Sequence, residues 1–219
     1  IYLWTPEGER RAMLKGHTAG VNRVTFSPNG QQLASVDASG QMALWTAGGD
    51  LIKIFDAHTD EVTDVAYSPD GTILATTSYD RTVKLWDTDG RLLRTLRGHG
   101  AAVTEVAFSH DGSQLATGSW DRTVRIWSLQ GSLLQTLVGH QSRVQTLAFA
   151  PGDYQLLSGA SDSTMRIWQL SQFATQSLYG HQADVVDLAV SPNTQTLASG
   201  GDDGALKLWN RRGQLLRSL

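Results

Sequence analysis

Serine, histidine and aspartate are the side chains from which a nucleophilic triad is built, and this 219-residue chain repeats all three along its length. His17, His58, His99, His140 and His181 stand 41 residues apart, and all but His58 follow a glycine. A catalytic triad is a single constellation whose nucleophile is exposed beside an oxyanion site. Groups that return five times in step serve a scaffold instead, so no catalytic residue is assigned. One histidine per repeat cannot converge on an ion held at about 2.1 Å, so no metal is expected. Asp87-Thr88-Asp89-Gly90 opens like a calcium loop, but Gly98 stands where the bidentate glutamate belongs. No phosphate loop ending in Gly-Lys-Ser/Thr, no Gly-x-Ser-x-Gly and no His-Glu-x-x-His occurs, so the expectation is a non-enzyme without a cofactor.

The tryptophans define the scaffold. Trp4, Trp45, Trp86, Trp127, Trp168 and Trp209 recur every 41 residues. Between these markers each unit carries four short segments bounded by turn residues, as strands do. In the third full unit residues 103–108 read as a first strand closed by Asp111-Gly112, and 114–117 as a second. Ser119-Trp120-Asp121-Arg122 turns into a third strand over 123–127, and a fourth covers 132–137. A four-stranded unit this small cannot bury both faces alone, so neighbours must stack, and the expected arrangement is blades around an axis. The fold class is therefore all-β, a β-propeller of four-stranded antiparallel blades. Residues 1–14 supply a partial blade, and 15–55, 56–96, 97–137, 138–178 and 179–219 are five complete repeats.

Composition narrows the partners. Charged residues make up 18% of the chain and the net charge is -3, which lacks the basic footprint of a nucleic-acid binder. The absence of cysteine fits a reducing compartment, and the cytoplasm is the expected location. No apolar run reaches the roughly 18 residues of a membrane helix, and the first residues lack a signal pattern, so neither insertion nor export is expected. Because Ile1 is not an initiator methionine, the natural chain is expected to extend upstream, within a ring of about seven blades.

The Gly-His starts, the Ser-Pro-Asp-Gly turn, the aspartate six residues before a tryptophan and Leu85-Trp86-Asp87 resemble the WD-repeat (WD40) family over essentially the whole chain. The resemblance implies that each blade is stapled by a buried polar network of its histidine, a strand-two serine or threonine, the turn aspartate and the tryptophan. Those residues would be His99, Thr117 or Ser119, Asp121 and Trp127 in the third unit, and His58, Ser78, Asp80 and Trp86 in the second. The fourth would use His140, Asp162 and Trp168, and the fifth His181, Asp203 and Trp209. In the first unit Ser39 replaces the aspartate, so the blade of His17 and Trp45 is expected to be the least firmly held. The uninterrupted array also resembles bacterial WD-repeat proteins, whose propellers are often fused to signalling ATPase or kinase domains. That resemblance implies a sensor or docking module within a larger regulatory protein.

Residues that break the repeat are not required by the scaffold. Trp120 is the one tryptophan of seven outside the 41-residue series, and its equivalents are Ala38, Tyr79, Ser161 and Asp202. Family resemblance places them on the narrower top face, with Glu61, Thr63, Thr104, Arg143, Gln145 and Asp184 beside the first strands. Aromatics and arginine dominate binding hot spots, so Tyr79, Trp120 and Arg143 lead as anchors for a protein or peptide. Glu61, Asp184 and Asp202 point to a basic partner segment. The alternatives are a small-ligand or enzymatic site in the central channel, or a purely architectural role.

Overall fold

The computed structural model describes residues 1–170, 174–193 and 195–219, with Ala174 described in its backbone alone. Residues 171–173 of the fourth repeat and residue 194 of the fifth lie outside the described residues. The chain forms two compact units, Ile1–Gly98 and His99–Leu219. Among the described residues every regular element is a strand.

The first unit opens with an antiparallel pair, β1 (Tyr2–Trp4) and β2 (Arg10–Met13). Two four-stranded meanders follow. One is β3 (Val21–Phe26), β4 (Gln32–Asp37), β5 (Gln41–Thr46) and β6 (Leu51–Asp56), and the other is β7 (Val62–Tyr67), β8 (Ile73–Ser78), β9 (Thr82–Asp87) and β10 (Leu92–Arg97). The second unit has three: β11 (Val103–Phe108) to β12 (Gln114–Ser119), β13 (Thr123–Ser128) and β14 (Leu133–Val138); β15 (Val144–Phe149) to β16 (Gln155–Ala160), β17 (Thr164–Gln169) and β18 (Ala174–Tyr179); and β19 (Val185–Val190) to β20 (Thr196–Gly201), β21 (Leu206–Asn210) and β22 (Leu215–Ser218). Strand β12 runs two residues past Thr117, so Ser119 closes the strand.

Local chemistry explains these boundaries. The hairpin between first and second strands needs a left-handed residue, which Gly30, Gly71 and Gly112 supply at φ of 68, 72 and 69°. In the fourth blade Asp153 takes that position at φ 60°, a conformation aspartate tolerates better than most side chains. The second strands are buried on both sides because each blade is stacked on a neighbour, so they read as continuous apolar and small runs such as Leu33-Ala34-Ser35-Val36. In the first unit Val36, Met42 and Leu44 of one blade pack against Val62, Val65 and Leu74 of the next. In the second unit Ala116, Val124 and Ile126 meet Val144, Leu147 and Leu156 in the same way.

Every first strand begins with a register shift, between Val21 and Arg23, Val62 and Asp64, Val103 and Glu105, Val144 and Thr146, and Val185 and Asp187. The skipped residues are Asn22, Thr63, Thr104, Gln145 and Val186. A bulge releases its extra residue from the ladder and re-aims the side chain, which is how this part of each blade presents non-core groups.

Candidate functional site

The recurrent polar residues form a relay. In the third blade Trp127 Nε1 donates to Thr117 Oγ1 at 2.9 Å, Thr117 Oγ1 lies 2.8 Å from His99 Nε2, and His99 Nδ1 lies 2.8 Å from Asp121 Oδ2. Indole is donor-only and carboxylate acceptor-only, so a neutral imidazole protonated at Nδ1 satisfies every group: Trp to Thr, Thr to His, His to Asp. Thr123 completes the carboxylate by donating its N–H and its hydroxyl to Asp121 Oδ1 at 2.9 and 2.6 Å. The same chain joins His140, Ser158, Asp162 and Trp168 in the fourth blade. It joins His181, Ser199, Asp203 and Trp209 in the fifth. The five tryptophans so held are 1–4% exposed, whereas Trp4, on the two-stranded sheet, is 61% exposed.

Two expectations need correction. In the second blade the hydroxyl of the relay is Thr76, which meets both His58 Nε2 and Trp86 Nε1; Ser78 does not belong to it. Ser78 lies two residues, or roughly 7 Å, further along the strand and caps the turn by accepting from the Asp80 N–H. Ser119 does the same for Asp121, leaving Thr117 as the relay residue. The first blade, in turn, has a complete relay despite Ser39. Asp37 carries the carboxylate from the end of β4, with Oδ2 2.6 Å from His17 Nδ1, while Ser35 meets His17 and Trp45. Ser39 donates its N–H and hydroxyl to Asp37 Oδ1, the part Thr123 plays in the third blade.

These Ser–His–Asp sets do not perform triad chemistry. Ser35 and Ser158 are 0% and Ser199 1% exposed, and each hydroxyl oxygen already accepts an indole N–H. Burial alone would raise the carboxylates of Asp80, Asp121 and Asp162, but hydrogen bonds from the paired histidine and threonine outweigh it and hold them well below the usual range. Asp203 is held at about 2, by the Gln182 N–H first and then by His181. Burial lowers His58.

A lowered aspartate stabilises the fold fully above the ordinary value of 3.8, and that contribution is lost as pH falls below it. A lowered histidine contributes above 6.5 and loses its contribution as pH falls below that. Thermal midpoints followed by circular dichroism should therefore decline shallowly below about 6.5 and steeply below about 4. Asp121→Asn should make the steep limb shallower by the share of one carboxylate and leave the shallow limb as it is; an unchanged steep limb would mean that Asp121 does not contribute to acid unfolding.

The anchor residues fall in both units. In the first, Tyr79 is half-buried and its N–H bonds the Glu61 carbonyl at 3.0 Å. Glu61 Oε1 accepts from Asn22 at 2.9 Å, and Thr63 bonds Thr77 within its own blade. In the second unit the Arg143 guanidinium lies over the Trp120 ring, 4.1 Å from its centroid. Gln145 donates to Ser161 at 3.0 Å, and Ser161 donates to Asp184 at 2.6 Å, while the Ser161 N–H bonds the Arg143 carbonyl. Thr104 is engaged across blades, donating to the Val144 carbonyl at 2.8 Å, so its hydroxyl serves the fold. Asp202 is exposed, anchored through its N–H to the Asp184 carbonyl.

A family profile described as the IFT122 first beta-propeller matches residues 62–219, and one described as WD domain, G-beta repeat matches residues 8–46. The chain belongs to the WD-repeat β-propeller family. No curated protein matches it in sequence. Two solved structures are similar: the RRP9 WD40 repeats at TM-score 0.87 and U3-55K at 0.86, both 25% identical and both covering 94% of this chain. The chain spans 65% and 66% of those two. WD40 propellers generally mediate protein interactions.

One feature of this WD-repeat chain escapes sequence reading. His110 replaces the proline found at residues 28, 69, 151 and 192, and Asp153 replaces the glycine found at 30, 71 and 112. The two meet. Asp153 Oδ1 accepts from the His110 N–H and lies 2.9 Å from His110 Nδ1, and Oδ2 accepts from the Asp111 N–H at 3.0 Å. Proline could not have offered that N–H. The clasp walls an open cavity of about 530 Å³ beside Tyr154, which is 72% exposed. The available signal was that both residues depart from the repeat at the corresponding hairpins of consecutive blades.

Proposed function

We infer that this chain is a rigid, non-catalytic scaffold that binds a protein or peptide segment through the turns carrying Trp120 and Ser161 and the bulges beside them, with Tyr79 an anchor of the first unit. The observation that carries this reading is the Trp120–Arg143 pair: two residues that break the repeat, the guanidinium 4.1 Å from the ring centroid, with Arg143 exposed. Aromatic and arginine side chains that are held in place before binding lose little entropy on contact, which is the physical basis of a hot spot. The exposed Asp202, next to Asp184, would meet a lysine or arginine of the same segment. A role as the docking module of a larger cytoplasmic regulatory protein fits the short, uniform loops. Nucleic acid and membrane are not among the partners this reading includes.

Affinity capture from source-cell lysate, comparing the intact protein with a folded Tyr79→Ala, Trp120→Ala, Arg143→Ala variant, tests it. The variant should lose a specific partner by at least about tenfold, as hot-spot truncations do. Partners retained in full would move the interface away from these turns.

A further inference from the structure

Arg143 stands just ahead of β15, its backbone pinned by the Ser161 N–H and its guanidinium laid over Trp120. Among the described residues it forms no ion pair and no side-chain hydrogen bond. The acidic side chain on the adjoining blade, Asp184, is engaged by Ser161 instead. Arg23 makes the contrast: in the first unit it pairs with Asp64 of the next blade at 2.8 Å. Arg143 is thus an oriented cation seated over the Trp120 ring. Its N–H edges remain to be filled, and their fork matches two coplanar oxygens.

We propose that Arg143, held by Trp120, is the receptor for an aspartate or glutamate side chain of the partner segment. The proposal rests on the binding role above and gives the segment a direction: an acid at the Trp120–Arg143 end and a base toward Asp202. A carboxylate is favoured over a phosphate because Asp184 and Asp202 both lie on the next blade, where they repel a dianion more than a monoanion. The planar carboxylate also matches the fork two-for-two.

The test is a peptide array with randomised flanks and a fixed central Asp, Glu, phosphoserine, Lys or Ala, probed with the whole chain, R143Q, R143K and W120F. Asp- and Glu-centred peptides should bind about tenfold more strongly than Ala-centred ones, the worth of one charge-assisted pair. R143Q should erase that preference, R143K should keep part of it, and W120F should keep most of it. R143Q and R143K should retain the parent's melting temperature, since Arg143 is exposed. A preference for phosphoserine or lysine, or an acidic preference that survives R143Q, overturns the assignment. Peptide binding that ignores the central residue also overturns it, and leaves the binding role standing. No peptide binding, together with lysate partners that ignore the triple variant, removes both.

Discussion

Thr117→Val should lower the unfolding free energy by about 3 kcal/mol, although valine has nearly the shape of threonine. The Thr117 hydroxyl is the midpoint of the third-blade relay, accepting from Trp127 Nε1 and meeting His99 Nε2, and all three groups are buried. Removing it leaves an indole N–H and an imidazole nitrogen without partners, at roughly 1–3 kcal/mol each. Thr117→Ser keeps the hydroxyl and loses one methyl, so it should cost about 1 kcal/mol. Serine already fills this place as Ser35, Ser158 and Ser199. Urea denaturation compares the two variants directly. Equal losses would show that the packing of the methyl, and not the relay, holds the blade.

Asp37→Ala should cost a similar amount, about 3 kcal/mol, because its buried carboxylate takes His17, the Ser39 N–H and hydroxyl, and the Gln41 N–H. The more searching variant is the exchange Asp37→Ser with Ser39→Asp, which rebuilds the arrangement of Ser78 with Asp80 and Ser119 with Asp121. Each single change is expected to destabilise. Asp37→Ser strips the carboxylate from His17, and Ser39→Asp sets a second carboxylate against the first. The double variant should recover at least half of the combined loss, giving a coupling of about 2 kcal/mol in a double-mutant cycle. Strict additivity would mean that the two positions are not alternative seats for one charge.

The blade pattern could be read from the chain because tryptophan and histidine keep a fixed interval and the turns carry their own chemistry, as at Asp111-Gly112. What could not be read was geometric. Positions 76 and 78 lie on the same face of one strand and both carry a hydroxyl; only the reach of the Trp86 indole selects Thr76. Likewise a carboxylate can approach His17 from the strand end or from the turn, so Ser39 looked like a defect until Asp37 was placed. Trp120 and Arg143 were each picked out by residue type, but their contact joins different blades and could not be read from the sequence. The His110–Asp153 clasp consists of two departures from the repeat 43 positions apart, whose connection exists only in three dimensions.

Equal blades carry a hazard while the chain is being made. Every strand pairs within its own blade, so these local contacts can form as soon as a blade has been synthesised. Yet a strand from one blade could also zip onto the like strand of its neighbour, the characteristic failure of repeat chains. The clasp between His110 and Asp153 closes in one alignment only. A frame-shifted docking of the third and fourth blades would forgo that bond, so the clasp favours the native alignment.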